Sequence, residues 1–175
     1  LASYQGYVDR MAPDRSFSRF AGAFPFTRDA RDPSGDGGPA VLAAMGKLTD
    51  VAQQSDGSVL IADGGFHQIR RVAPDGTIST WAAQATLDWP HGGILPRPDG
   101  SVAVTDNPVN RVNLLKSDGK SSLLAGSGEA GFSGDGGPPE VARLNGPVHL
   151  ASSPGGGVLI SDLDNGRVRE VLDEG

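Results

Sequence analysis

The six letters "SGDGGP" occur at residues 34–39 and again at 133–138, which sets the two copies 99 residues apart. The agreement extends well past this phrase. The same shift lays "SVLIAD" (58–63) on "GVLISD" (157–162) and "QIRRV" (68–72) on "RVREV" (167–171), without a gap. A shift of 43 lays "DGSVLIAD" (56–63) on "DGSVAVTD" (99–106). At the start, "VDRMAPDRSFSRFAG" (8–22) matches "IRRVAPDGTISTWAA" (69–83). The repeating unit is therefore about 43 residues long and is stretched where the "GDGGP" segment is present. Repeats of this size mean solenoids, propellers or arrays.

The local pattern chooses among these. Each unit holds short β-rich runs bounded by Asp-Gly, Pro-Asp-Gly or Gly-Gly turns. Within one unit, residues 50–53, 59–63, 68–72 and 78–81 read as four strands. Four short antiparallel strands per unit make a propeller blade. Glycine and proline, at 26 and 13 residues, supply the turns and disfavour the long 3.6-period stripes of helical repeats. The stretch 39–48 has room for a turn or two of helix.

These residues resemble the NHL repeat in its bacterial and teneurin-like form. The resemblance rests on "GDGGPAVLAAMGKLTDVAQQSDGSVLIADGGFHQIRRVAPDGTISTWAA" and on "GDGGPPEVARLNGPVHLASSPGGGVLISDLDNGRVREV". It covers most of the chain and is weaker over 84–126, where the phrase is missing and a proline interrupts "DNPVNRVNLL". It implies an all-β fold, an NHL-type β-propeller commonly of six blades, with each blade's first strand lining a central channel.

The expected organisation is the end of a blade over 1–22, blades over 23–83 and 84–126, and a partial blade over 127–175. That makes about three blades, and three cannot close a ring. Open edges leave unpaired backbone groups. Two expectations follow. One is a fragment, which the start at Leu1 without Met also suggests. The other is a homodimer in which two chains complete each other around six blades.

Composition narrows the partners. A net charge of −6 argues against nucleic acid, which needs a clustered positive field. With no cysteine there are no disulfides and no thiolate metal sites. No apolar run is long enough to span a membrane as a helix. An extracytoplasmic or secreted setting is what the resemblance implies.

Several residue groups could carry chemistry. Asp32, Ser34 and Asp36 stand at alternate positions before Gly37, as ligands do in calcium loops. Ala43 occupies the place of the bidentate Glu, so a structural turn in which Asp36 and Asp135 bind local amides is the competing reading. No cofactor is expected beyond calcium or another divalent metal. Asp63, Asp106 and Asp162 end the second strand of each unit and read as turn formers. His67 reads as an exposed turn residue.

His91 and His149 are expected at the entrance to first strands, with Asp50 in the place matching His149. Imidazole and carboxylate at a channel mouth can hold a metal or move a proton. Trp89, beside Pro90 and His91, suits a contact surface. Arg70, Arg71, Arg111, Arg167 and Arg169 cluster on third strands and are expected to form inter-blade ion pairs.

The function expected first is a binding module that presents loops to a protein, peptide or glycan through Trp89, His91 and His149. The alternatives are a propeller lyase or hydrolase with His149, His91 and Asp50 as catalytic groups, and a structural repeat of a larger surface protein. An enzyme is the less favoured of these.

Overall fold

The computed structural model describes residues 2–3, 6–23, 35–83 and 92–172. Trp89, His91, Asp32 and Ser34 lie outside the described residues. The chain divides into two compact units, Leu1–Gln84 and Ala85–Gly175. All of the sheets are antiparallel, and consecutive strands are neighbours. This is the β-propeller blade pattern that the repeat length implied.

The first unit begins with β1 (Ala2–Ser3), β2 (Tyr7–Met11) and β3 (Phe17–Ala21), which form one sheet. A four-stranded sheet follows: β4 (Leu48–Gln53), β5 (Val59–Asp63), β6 (Gln68–Val72) and β7 (Ile78–Ala83). In the second unit β8 (Ile94–Pro96), β9 (Val102–Asp106), β10 (Arg111–Leu115) and β11 (Ser121–Ala125) form a four-stranded sheet. The last sheet has three strands, β12 (Pro147–Ser152), β13 (Val158–Asp162) and β14 (Arg167–Val171). Two expectations are refined. The N-terminal segment, expected to be the end of a blade, supplies three strands. β12 begins at Pro147 because that residue pairs with Asp162, so His149 lies inside the strand and not at its entrance.

One hairpin frame recurs because one short sequence makes it. In "DGS" and its variants, Asp14, Asp56, Asp75, Asp99 and Asp118 each accept the N–H two residues on, at 2.9–3.0 Å. The residue after the Asp takes positive φ, a conformation in which glycine escapes the Cβ penalty. Between second and third strands the chain passes through the left-handed region at His67, Asn110 and Gly166, with φ of 54°, 54° and 62°. These are the same repeat position, so His67 is the exposed turn residue that its place predicted.

Within each unit the "GDGGP" segment joins one sheet to the next. It forms a short 3-10 turn, Ala40–Leu42 in the first unit and Pro139–Val141 in the second. The preceding sheet anchors to it in both: Gly22 N–H donates to Ala40 O, and Gly126 N–H to Pro139 O. Core packing follows the same rule. Val8 and Ala21 pack with Ala43 and Ile61, while Val112 and Ala125 pack with Leu144 and Ile160. The division between the units, at Gln84 and Ala85, falls in the connection that lacks the phrase.

Candidate functional site

Two layers of polar residues are built on this frame. The first is the register of the first strands. In β4 the pairing with β5 slips between Leu48 and Asp50, and in β12 the pairing with β13 slips between Pro147 and Leu150. Each is a β-bulge that adds one residue on the first strand and re-aims the side chains there. Asp50 and His149 occupy these matching bulges. His149 is exposed, and Asp50 is half-buried with its Oδ1 accepting Val51 N–H at 2.8 Å.

Immediately before β8 the matching residue is Gly93. A Cβ there would stand 2.8 Å from Leu150 N and 3.0 Å from His149 Cα. The neighbouring strand therefore leaves space for glycine alone. Further bonds hold the entry to β12. Asn107 Nδ2 donates to Pro147 O at 3.4 Å, and Gly146 N–H donates to Asn110 Oδ1 at 3.0 Å. His149 and Asp50 belong to different units, so each is placed by its own sheet. His91 and Trp89 lie outside the described residues.

The second layer is an Asp–Arg pair that appears twice, with an exposed aspartate reaching an arginine that is fully buried in the first unit and mostly buried in the second. In the first unit Arg70 Nη2 donates to Asp36 Oδ1 at 2.6 Å and Arg70 Nη1 to Ala44 O at 3.2 Å. Asp36 Oδ2 accepts Thr80 N–H at 2.8 Å. In the second unit Arg169 Nη2 lies 2.5 Å from Asp135 Oδ1, and Arg169 Nη1 donates to Arg143 O at 3.0 Å. Every matched pair of residues is 99 apart.

Burial alone would raise the pKa of Asp36. The Thr80 hydrogen bonds and the Arg70 charge outweigh it and hold the carboxyl below its ordinary value. Of the three residues proposed for calcium, Asp36 is the described one, and both of its oxygens accept from protein donors. Those donors lie far along the chain, not in the local turn that the sequence suggested.

Asp63 and Asp162 close the ends of second strands. Asp63 takes Gly46 N–H at 2.9 Å and Phe66 N–H at 3.2 Å. Asp162 takes Asn145 N–H at 2.6 Å. Burial is the main influence on Asp63 and pushes its pKa up despite these bonds.

The arginines divide by partner. Arg70 and Arg169 pair with the loop aspartates, and Arg71 pairs with Asp56 inside its own sheet at 2.7 Å. Arg111 donates to Ser127 O instead of to a carboxylate. Arg167 lies 4.0 Å from the ring of Phe132, and Arg169 lies 5.0 Å from it. Sequence reasoning missed this aromatic; an isolated Phe in the polar run "GEAGFSGDG" was its one signal. Among the described residues no group of three His, Cys, Asp or Glu is placed to hold a metal ion.

No known family profile matches the chain. Teneurin-1 of Mus musculus is 32% identical over 104 residues, which cover 53% of this chain and 4% of that protein. The chain thus spans a small part of the curated relative it matches. A streptogramin B lyase structure superposes with a TM-score of 0.62 at 14% identity, covering 98% of this chain and 46% of that one. An auxiliary nutrient binding protein from Bacteroides thetaiotaomicron gives 0.63 at 16%, covering 97% and 43%. At such identities the likeness is one of fold. The fold is a β-propeller.

Proposed function

We propose that the chain is an NHL-type propeller segment that acts as a binding module, presenting first-strand and loop residues to a protein, peptide or glycan. One observation carries this reading. A single repeated backbone position, bulged in β4 and β12, holds Asp50, Gly93 and His149 in three sheets. The frame is repeated while the side chain on it varies. That is how rigid scaffolds make recognition surfaces. The nutrient-binding neighbour lends support by fold analogy. Trp89, His91 and His149 are the proposed contact residues of the second unit, His149 being the described one, and Asp50 holds the matching position in the first unit.

The test is retention on immobilised peptide and glycan arrays, wild type against His149→Ala. His149 is exposed, so the variant keeps the fold. Selective retention that falls at least about tenfold in the variant supports recognition at this position. Retention equal in both chains overturns it. Turnover of a captured compound, abolished in His149→Ala, would put the lyase or hydrolase reading with His149, His91 and Asp50 in its place.

A further inference from the structure

Two asparagines of the second unit precede glycine, Asn145–Gly146 and Asn165–Gly166, and the fold holds them differently. Gly146 is buried; its N–H donates to Asn110 Oδ1 at 3.0 Å and its C=O accepts Leu163 N–H at 3.3 Å. Asn145 is clamped on both sides, its N–H donating to Asp162 Oδ1 at 2.6 Å and its C=O accepting Asp164 N–H at 3.0 Å. Asn165 instead ends a short 3-10 turn, Leu163–Asn165, capped by Gly166 at φ 62° with its N–H on Leu163 O at 2.9 Å. Leu163, Asp164 and Gly166 are exposed. That exposure belongs to the repeat, because His67 stands at the place of Gly166 and is exposed in a sheet with all four strands.

The Asn165 amide bridges two elements. Its Nδ2 donates to Gly131 O and to Asp162 Oδ2, each at 2.7 Å. Both partners are acceptors, and Asp162 is 0% exposed, with Arg169 Nη1 3.6 Å from the same oxygen. Gly131 lies in the loop 127–133, which leads from β11 toward β12 and carries Phe132. The bridge works with an amide and not with an acid. A carboxylate oxygen in place of Nδ2 would face two acceptors with no proton to donate.

We propose that Asn165 is a modification site, where deamidation irreversibly releases the loop 127–133 from the turn between β13 and β14. It is separate from the bulge positions proposed above, and the reaction consumes water alone. When the turn opens, Gly166 N attacks Asn165 Cγ. The N–Cγ bond forms, the Cγ–Nδ2 bond breaks, and ammonia departs with the proton that Gly166 N gives up. Water then opens the cyclic imide at either carbonyl, leaving aspartate or its β-linked isomer. Glycine permits the approach because no Cβ on residue 166 obstructs the attacking nitrogen.

In the closed turn both reacting groups are held in hydrogen bonds, so the step waits on local opening. A short 3-10 turn with exposed residues opens at lower cost than the entry to β12, where Gly146 is buried and Asn145 is bonded on both sides. Asn145 is thus an internal control. Once formed, the new carboxylate is repelled by Asp162 and has nothing to donate to Gly131 O, so the turn does not reclose as before. Gly131 N–H on Leu144 O at 3.1 Å and the Arg143–Glu129 pair remain, so the loop loosens without detaching.

The test is storage of the full folded chain at mildly alkaline pH, followed by ion exchange, since each conversion adds a negative charge. Digestion with pepsin in acid and mass spectrometry then assign the site. Conversion at Asn165 is expected at least about tenfold faster than at Asn145, the difference between local and deeper opening. In the converted fraction, amide hydrogen exchange should quicken over 127–133 while the β12–β13 pairing keeps its protection. The Asn165→Asp chain should match that fraction; because the fraction comes from wild-type protein, the test stands even where the variant does not fold. No conversion at Asn165, equal rates at both asparagines, or conversion that leaves the loop's exchange unchanged overturns the proposal. Protection lost across the whole sheet also overturns it, since the amide would then hold the sheet and not the loop.

Discussion

Arg70 is 0% exposed, and its charge is tolerable because Asp36, at the loop surface, reaches in to meet it. Its Nε finds no partner among the described residues, so the guanidinium depends on Nη1 and Nη2. Removing Asp36 leaves a buried cation with the Ala44 carbonyl as its hydrogen-bond acceptor and the charge of Asp63 nearby. Asp36→Ala should destabilise the first unit by about 1–3 kcal/mol, the cost of stranding a buried polar group next to a half-exposed partner. The double variant Asp36→Ala with Arg70→Met should recover part of that loss, because methionine leaves no charge behind. Urea unfolding monitored through Trp81 measures both. A double variant no more stable than Asp36→Ala would remove the stranded charge as the cause. The aspartate was legible in sequence because its phrase is printed twice. Its partner was not, because Arg70 comes 34 residues later and meets Asp36 only when sheet and loop are assembled.

At the scale of the element, the hairpins and the strand-two turns were readable because their signals are short-range. The bulges were not, since a one-residue slip leaves the alternation of side chains on either side of it looking regular. The hairpin aspartates give these elements a defined acid response. The Ser58 hydroxyl, the Ser58 N–H and the Arg71 ion pair together lower Asp56 to about 2, from 3.8. A depressed carboxyl stabilises the fold fully above its unfolded value, and that contribution disappears as pH falls through the folded value. The acid limb of stability should therefore descend between about pH 4 and pH 2. Asp63, raised by burial, works with the opposite sign and costs stability as pH climbs through its folded value. In Ser58→Ala, which removes the hydroxyl and keeps the N–H, carboxyl NMR should find Asp56 titrating nearer 3.8; an unmoved titration would assign the depression to the backbone N–H and Arg71. The left-handed turn gives a second prediction. His67 carries a Cβ at φ 54° where Gly166 carries none. His67→Gly should stabilise the first unit by about 1 kcal/mol, and Gly166→Ala should cost the second a similar amount, both read from urea midpoints at unchanged slope.

For the molecule as a whole, a repeat period decided the architecture, and a repeat is readable without knowing any contact. The same property hides the function, because residues that recur belong to the frame. What distinguishes a site is where copies differ, as Asp50, Gly93 and His149 do at one position. The number of blades has a consequence in solution. If two chains complete each other around six blades, the protein in dilute solution should scatter light at twice the 18.0 kDa of a single chain, and that mass should fall toward 18.0 kDa on further dilution. A mass of 18.0 kDa at every concentration would remove the dimer.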